Sequence, residues 1–328
     1  MEPRREMDEL FDGFVRYMRS LGHAFDKKEV GSYKRLAIFL KENCIGGEAI
    51  VTQEKAFDWI ANGGSDHPIT RNRRASQIRV FAKYLVRAGN ADCFMLPKEL
   101  MPGERSDFIP YIFTHAEIEA LTAKCDSIKP IGQSRFRHAI YPAMFRTIYA
   151  CGLRSGEARN LLVDDVDFGN EVLFIRKTKN EDSRYVPMSP SLADFLRSFY
   201  SQAVGLSDRS GSMPFFLSPR GGCYGEKIVL NVFQDICRDA GISNQKGNPP
   251  RVHDLRHTFA VHSLQATVES GASAEVFLPV LSAYMGHKDI KSTEYYLHLT
   301  QEGQNAAIAK MMSAYCGLYK EGAIDGFK

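Results

Sequence analysis

Residues 97–114, PKELMPGERSDFIPYIFT, place three prolines and a glycine between two long stretches of helical periodicity. Proline fixes φ and removes a backbone donor, so neither a regular helix nor a central strand runs through such a segment. A chain of 328 residues is also longer than one hydrophobic core usually serves. The sequence therefore reads as two domains: a helical domain over residues 1–104, a linker over 105–112 and a second domain over 113–328.

Before the break, Leu10, Phe11, Phe14, Val15 and Met18 recur at helical spacing, as do Tyr33, Leu36, Ala37, Phe39 and Leu40. A shorter helix around residues 56–61 carries the only tryptophan, Trp59. In TRNRRASQIRVFAKYLVRAGN, the residues Ile78, Phe81, Ala82 and Leu85 form an apolar stripe, with Thr70 as N-cap and Gly89 as stop. The same helix carries Arg71, Arg73, Arg74, Arg79, Lys83 and Arg87, and no acidic residue lies between Arg71 and Arg87. Such a face is either simply solvated or a row of phosphate contacts that position without reading sequence.

After the break, Thr114 caps the helix HAEIEALTAKC and the pattern changes. A helix around residues 139–151 is followed by VDDVDF and EVLFIR, read as strands joined at Gly169-Asn170, and by a third strand, RYVPM, beyond a polar loop. Helical patterns return in SLADFLRSFYSQA, EKIVLNVFQDICRDAG, HDLRHTFAVHSLQ and from Ala274 onward. The fold class is thus mainly α, with one small antiparallel sheet in the second domain.

Composition narrows the setting more than the function. No stretch approaches the roughly 20 apolar residues that a membrane helix needs. The N-terminus, MEPRREMDELFDGF, lacks the apolar core of a secretory signal, so a cytoplasmic location is expected. Seven cysteines (Cys44, Cys93, Cys125, Cys151, Cys223, Cys237 and Cys316) form no CxxC pair and read as reduced thiols, with no metal site expected. A formal charge of +3 does not by itself identify a nucleic-acid partner.

Chemistry enters with HDLRH. Residues three apart on a helix share a face, so His253 and Arg256 can address one target. A guanidinium grips phosphate bidentately, and an imidazole near neutral pH can give or take a proton. Three further patterns occur in a fixed chain order. In CGLRSGEARNL, Arg154 follows an apolar helix and a glycine turn, with Glu157 one helical turn later. In TKNEDSRYVPM, Lys179 stands in a polar loop between strands, eight residues before Pro187, with Lys177 nearby as its rival. In MGHKDIKSTEYYLH, His287 precedes Tyr296 by nine residues, and the adjacent Tyr295 would point about 100° away around a helix.

Together these motifs resemble the tyrosine recombinase (phage integrase) family, in the order Arg, Lys, HxxR, His and nucleophilic Tyr. The resemblance covers residues 110 to about 315 and extends more loosely to the N-terminal helices, which resemble the family's SAM-like core-binding domain. It implies a site-specific recombinase that forms a 3′-phosphotyrosine, without metal or ATP, on double-stranded DNA, as a tetramer. The catalytic set it implies is Arg154, Lys179, His253, Arg256, His287 and Tyr296, with Tyr295 as the alternative nucleophile. Glu157 and His257 are implied as supporting groups, Glu157 orienting Arg154 unless it is a surface glutamate. The basic row from Arg71 to Arg87 becomes a DNA contact. The stripe Ile308, Met311, Met312 and Tyr315 in the final helix packs either on its own domain or on a neighbouring protomer.

The chemistry such a reaction asks for matches these residue types. Attack on a phosphodiester builds charge on the phosphoryl oxygens, which fixed guanidinium groups stabilise. Tyrosine is mostly protonated near pH 7, so its proton needs an acceptor, for which the resemblance implies His253. The leaving 5′-oxygen needs a proton, the role the resemblance gives Lys179. Integration, excision, transposition and replicon resolution stay open, as do a topoisomerase-like monomer and a DNA-binding protein without catalysis.

Overall fold

A computed structural model describes residues 6–23, 25–42, 50–61, 68–90, 92–99, 109–132, 136–176, 183–204, 210–287 and 293–297. The chain divides into two compact units, Met1–Phe108 and Ile109–Lys328.

In the first unit four helices follow from apolar periodicity: α1 (Met7–Ser20), α2 (Lys27–Glu42), α3 (Gln53–Ala61) and α4 (Pro68–Arg87). Leu10, Phe11, Phe14, Val15 and Met18 of α1 are all buried, as are Ile78, Phe81, Ala82 and Leu85 of α4. Phe14 is fully buried and packs edge-on against Phe81, with ring centroids 5.0 Å apart, and against Phe25 at 5.5 Å. The start of α4 differs from the sequence expectation. The helix begins at Pro68, two residues before Thr70, because proline suits a first turn whose N–H groups have no helical partner. Its end is as expected: Gly89 takes φ 105°, and Asn90 N–H donates back to Leu85 O at 3.0 Å.

In the second unit, α5 (His115–Asp126) opens with a reciprocal capping box. Thr114 Oγ1 accepts from Glu117 N–H at 3.2 Å, and Glu117 Oε2 accepts from Thr114 N–H at 2.8 Å. The helix α6 (Arg137–Ala150) buries Ile140, Ala143, Met144, Phe145 and Ile148, so it runs through the core rather than along its edge. A short α7 (Ser155–Arg159) leads to a three-stranded antiparallel sheet, β1 (Val166–Asp167), β2 (Val172–Ile175) and β3 (Arg184–Pro187), in the order β1-β2-β3. Leu173, Ile175 and Val186 are buried, while Phe174 and Tyr185 pair on the outer face. Then come α8 (Pro190–Phe199), α9 (Glu226–Asp239), α10 (Val252–Glu269) and α11 (Ala274–Met285). The main core gathers Phe113, Phe145, Phe215, Phe216 and Phe233. A second apolar cluster joins Ala260, Val261 and Leu264 of α10 to Leu278, Leu281 and Met285 of α11, and includes Tyr296.

Two strand expectations change. Residues 163–165 of VDDVDF form a 3-10 turn, leaving only Val166–Asp167 as strand. The buried Asp165 carboxylate accepts from Leu162 N–H at 2.9 Å, which offers the backbone an alternative to a ladder. The following turn spans residues 168–171 rather than two residues: Asp167 Oδ1 accepts from both Gly169 and Asn170 N–H at 2.9 Å, and Glu171 takes φ 55°. Among the described residues, no helix is long and apolar enough to cross a membrane.

Candidate active site

The site is built from four chain segments of the second unit. The first is the turn after α6, where Gly152 takes φ 57° and presses against Phe259, leaving no room for a side chain. The turn delivers Arg154 to the N-cap of α7 and Glu157 to that helix's first turn. The Glu157 side chain is 2% exposed, so the surface reading of this residue is excluded. Its Oε2 accepts from Arg154 N–H at 2.8 Å and its Oε1 from Arg154 Nη1 at 3.1 Å.

From α10, Arg256 enters the same cluster fully buried. Its Nη1 donates to Gly152 O and its Nη2 to Met285 O, both at 2.8 Å, and Nη1 lies 3.8 Å from Glu157 Oε2. Burial, reinforced by the charge of Arg154, pulls the Arg256 guanidinium down to about 10, which leaves it cationic at neutral pH. Arg154 is the more accessible of the two, with its side chain 29% exposed.

A third arginine, missed by the sequence reading, completes the cluster. Arg184 at the start of β3 chelates Glu157, Nη1 to Oε1 at 2.8 Å and Nη2 to Oε2 at 3.0 Å, and its Nε donates to Tyr284 O at 2.9 Å. Burial alone would raise the Glu157 carboxyl, but the hydrogen bonds and charge of Arg184, joined by Arg154 N–H and the Arg256 charge, outweigh it and hold that group below its ordinary value. A Cβ at Gly286, which takes φ 71°, would come within 2.8 Å of Arg184 Nη1. The glycine of MGH thus permits both the left-handed turn and the close approach.

The remaining groups are imidazoles and a phenol. The helical turn at residues 293–297 carries Tyr296, which is 3% exposed, beside Tyr295, which is 39% exposed. The Tyr296 hydroxyl shares a hydrogen bond of 2.8 Å with His257 Nδ1. His253 meets His257 edge-on at a centroid distance of 4.7 Å. His257, expected only as a supporting group, is therefore the imidazole that touches the tyrosine hydroxyl, and His253 stands behind it. Its spacing carried a signal: His253 and His257 are four apart on α10 and share a face. The ring of His287 lies nearly parallel to that of Tyr296 at 6.4 Å, with Nδ1 bonded at 2.8 Å to Oγ1 of the fully buried Thr293.

Burial first, then the neighbouring cations, pushes His253 and His257 down to about 4 and His287 to about 3. All three are neutral near pH 7. Burial raises the Tyr296 phenol, while Arg256 and Arg154 pull it partly back. Lys177 and Lys179 lie outside the described residues, as does the stripe from Ile308 to Tyr315. Among the described residues, no group of three or more His, Cys, Asp or Glu side chains is placed to hold a metal ion. Cys93, Cys125, Cys151, Cys223 and Cys237 form no disulfide.

In the first unit, the basic row of α4 divides in two. Arg79 donates to Leu96 O at 3.0 Å and Pro97 O at 2.8 Å, Arg74 lies 5.3 Å from the Trp59 ring centroid, and Arg87 bonds the Tyr17 hydroxyl. Arg71, Arg73 and Lys83 are exposed.

Comparison with known proteins bears on this arrangement. The model of the phage integrase family matches residues 112–302. A putative integrase/recombinase of Sinorhizobium fredii, y4rB, is 30% identical over 301 residues, which cover 91% of this chain and 94% of that one. The tyrosine recombinase XerD of Lacticaseibacillus casei is 29% identical over 236 residues, covering 72% and 74%. Among solved structures, the XerH site-specific recombinase bound to palindromic difH substrate matches with a TM-score of 0.67 at 15% identity, over 94% of this chain and 98% of that one. The Tn1549 transposon integrase in complex with transposon right-end DNA matches with a TM-score of 0.62 at 18% identity, over 93% and 100%. The structural likenesses establish a shared fold.

Proposed function

The chain belongs to the phage integrase family and is a site-specific recombinase; we propose that it cleaves and rejoins DNA strands through a 3′-phosphotyrosine on Tyr296. The observation that carries this reading is the placement of one buried tyrosine hydroxyl on an imidazole, in the field of two guanidinium groups.

In the proposed reaction Tyr296 Oη attacks the scissile phosphorus. The bond from phosphorus to the 5′-oxygen breaks, leaving a 3′-phosphotyrosine and a 5′-hydroxyl. The adduct keeps the phosphodiester's bond energy, so a 5′-hydroxyl from another strand can reverse the step without ATP. Arg154 and Arg256 stabilise the charge that grows on the non-bridging oxygens. A guanidinium has five donors, so the two carbonyl bonds of Arg256 leave others for phosphate. The neutral His257, in the tautomer with its proton on Nε2, can accept the Tyr296 proton through Nδ1, with His253 next in line. His287 adds a donor to the same oxygens, and Lys179 (or Lys177) protonates the leaving oxygen. Because Tyr296 is 3% exposed, the helical turn that carries it must shift when the phosphate arrives.

The partner in this reading is a duplex bearing a specific recombination site, gripped in part through Arg71, Arg73 and Lys83, with four protomers assembling on two synapsed sites. Exchange of this kind serves integration, excision, transposition or replicon resolution.

A nicked duplex that loses a short fragment on cleavage traps the adduct. Wild-type protein is expected to give a covalent species on a denaturing gel, and Tyr296→Phe is expected to abolish it while DNA binding survives. An adduct that persists in Tyr296→Phe would sink the nucleophile assignment.

A further inference from the structure

Glu157 is saturated. A carboxylate offers about four lone-pair sites, and here they are taken by Arg154 N–H, Arg154 Nη1, Arg184 Nη1 and Arg184 Nη2. Half of those donors belong to Arg184, a residue with no part in the reaction described above. Its third donor, Nε, is fixed on Tyr284 O at the end of α11. The next two carbonyls of that chain hold the other arginines: Met285 O accepts from Arg256 Nη2 at 2.8 Å and Gly286 O from Arg154 Nη2 at 3.4 Å. His287 follows directly, and Gly286 lies against the Arg184 guanidinium. With its side chain 11% exposed and three of its five N–H donors held by Glu157 and the Tyr284 carbonyl, Arg184 is placed to hold these groups together.

We propose that Arg184 is a positioning residue for strand cleavage: it chelates Glu157 and grips the Tyr284 carbonyl, so that Arg154, Arg256 and His287 are held in one arrangement. The proposal rests on the cleavage reading above. The sheet thereby reports to the phosphate site, because β3 cannot shift without moving the carboxylate that orients Arg154. A planar fork is needed for this bridge, since a lysine ammonium cannot chelate a carboxylate and reach a carbonyl at the same time. Misplacement of reacting groups by about 1 Å costs on the order of 10²-fold in rate.

The test uses the full chain and a library of nicked duplexes of randomised sequence, from which sequences that form denaturant-resistant adducts are selected. On a selected duplex, Arg184→Ala is expected to slow adduct formation at saturating DNA by about 10²-fold, with the DNA dissociation constant unchanged within threefold. Arg184→Lys is expected to fall between wild type and alanine, and it carries the test should the alanine variant fail to fold. Two readouts separate positioning from simple loss of structure. Without the fork, burial of Glu157 is offset only by Arg154 N–H and the Arg256 charge, so the variants lose rate on the acid side at a higher pH than wild type does. A Glu157→Gln background removes that acid limb, and the double variant is expected to be no slower than the slower single one.

Rates within threefold of wild type in both Arg184 variants would overturn the proposal. So would weakened DNA binding with an unchanged rate at saturation, which would make Arg184 a phosphate contact, and so would additive effects with Glu157→Gln. A wild-type protein that forms no adduct on any member of the library brings down the cleavage reading itself, and this proposal with it. That failure is distinct, because it appears before any variant is compared.

Discussion

Around Glu157 the buried groups keep their charges, whereas around Tyr296 they give theirs up. The Arg256 guanidinium is fully buried yet stays cationic, because two carbonyls and the nearby Glu157 carboxylate replace the water it lost. Glu157 stays anionic for the matching reason. Around Tyr296, His253, His257 and His287 share Arg256 as a cationic neighbour, and the bonded ring nitrogens of His257 and His287 meet the Tyr296 and Thr293 hydroxyls, so burial and repulsion leave all three neutral. One half of the site is an electrostatic clamp, the other a set of proton acceptors and donors kept uncharged by burial first and by neighbouring cations second. Ionising both halves would place like charges together in a dry interior, which is costly.

The comparison breaks most readily at Glu157. Removing one partner of a buried charge network leaves the others unpaired and typically costs about 3–5 kcal/mol. Glu157→Ala is therefore expected to lower unfolding stability by about that amount and to abolish adduct formation, read by urea denaturation and the trapped-adduct gel. A loss below about 1 kcal/mol, the range of an exposed pair, would mean that the arginines do not depend on the carboxylate. The clamp would then be a misnomer.

How much of this was legible beforehand depends on distance along the chain. The helices were readable because their stripes are local, as with Ile78, Phe81, Ala82 and Leu85 in α4. So was the Thr114–Glu117 capping box, whose members are three apart. Arg154 and Glu157 were paired for the same reason. Arg184 was not, since its partner Glu157 lies 27 residues away and Tyr284 lies 100 away. The bond from His257 to Tyr296 spans 39 residues and depends on how α10 packs beside the turn at 293–297. The 3-10 turn at Val163–Asp165 was missed because alternating residues look like a strand until a buried aspartate turns back to the backbone. In the first unit, Arg74, Arg79 and Arg87 looked equivalent to Arg71 and Arg73 until their partners came into view.

The neutral half of the site should reveal itself through protons. His253 and His257 are held at about 4 in the folded protein against an ordinary value of 6.5. Between those limits the unfolded chain binds more protons than the folded one, so stability rises with pH. The contribution is fully present above about pH 6.5 and is lost as pH falls toward the folded values. His287, held lower still, acts in the same direction. Urea midpoints are therefore expected to fall between pH 7 and pH 5, with an uptake of two to three protons on unfolding (roughly one per histidine). His257→Phe should reduce that uptake by about one. A midpoint that is flat, or that climbs as pH drops, would show that these imidazoles are charged in the native state.

A smaller effect, and a finer cut through the same comparison, comes from Thr293. Its hydroxyl is fully buried and bonds His287 Nδ1, so it fixes the ring that lies along Tyr296. A neutral imidazole has one donor and one acceptor, and anchoring Nδ1 leaves Nε2 for the phosphate. Thr293→Val keeps the shape and removes the oxygen, with an expected cost of about 1–2 kcal/mol for the partner left unsatisfied. The rate of adduct formation should fall more than this stability loss suggests, since a ring free to turn presents Nε2 for only part of the time. DNA affinity should hold, because the ring's orientation matters at the phosphorus and not for docking. Were Thr293→Val to lose as much stability as Glu157→Ala, the neutral half would be as tightly bound as the charged one. The division of the site into clamp and proton relay would then fail.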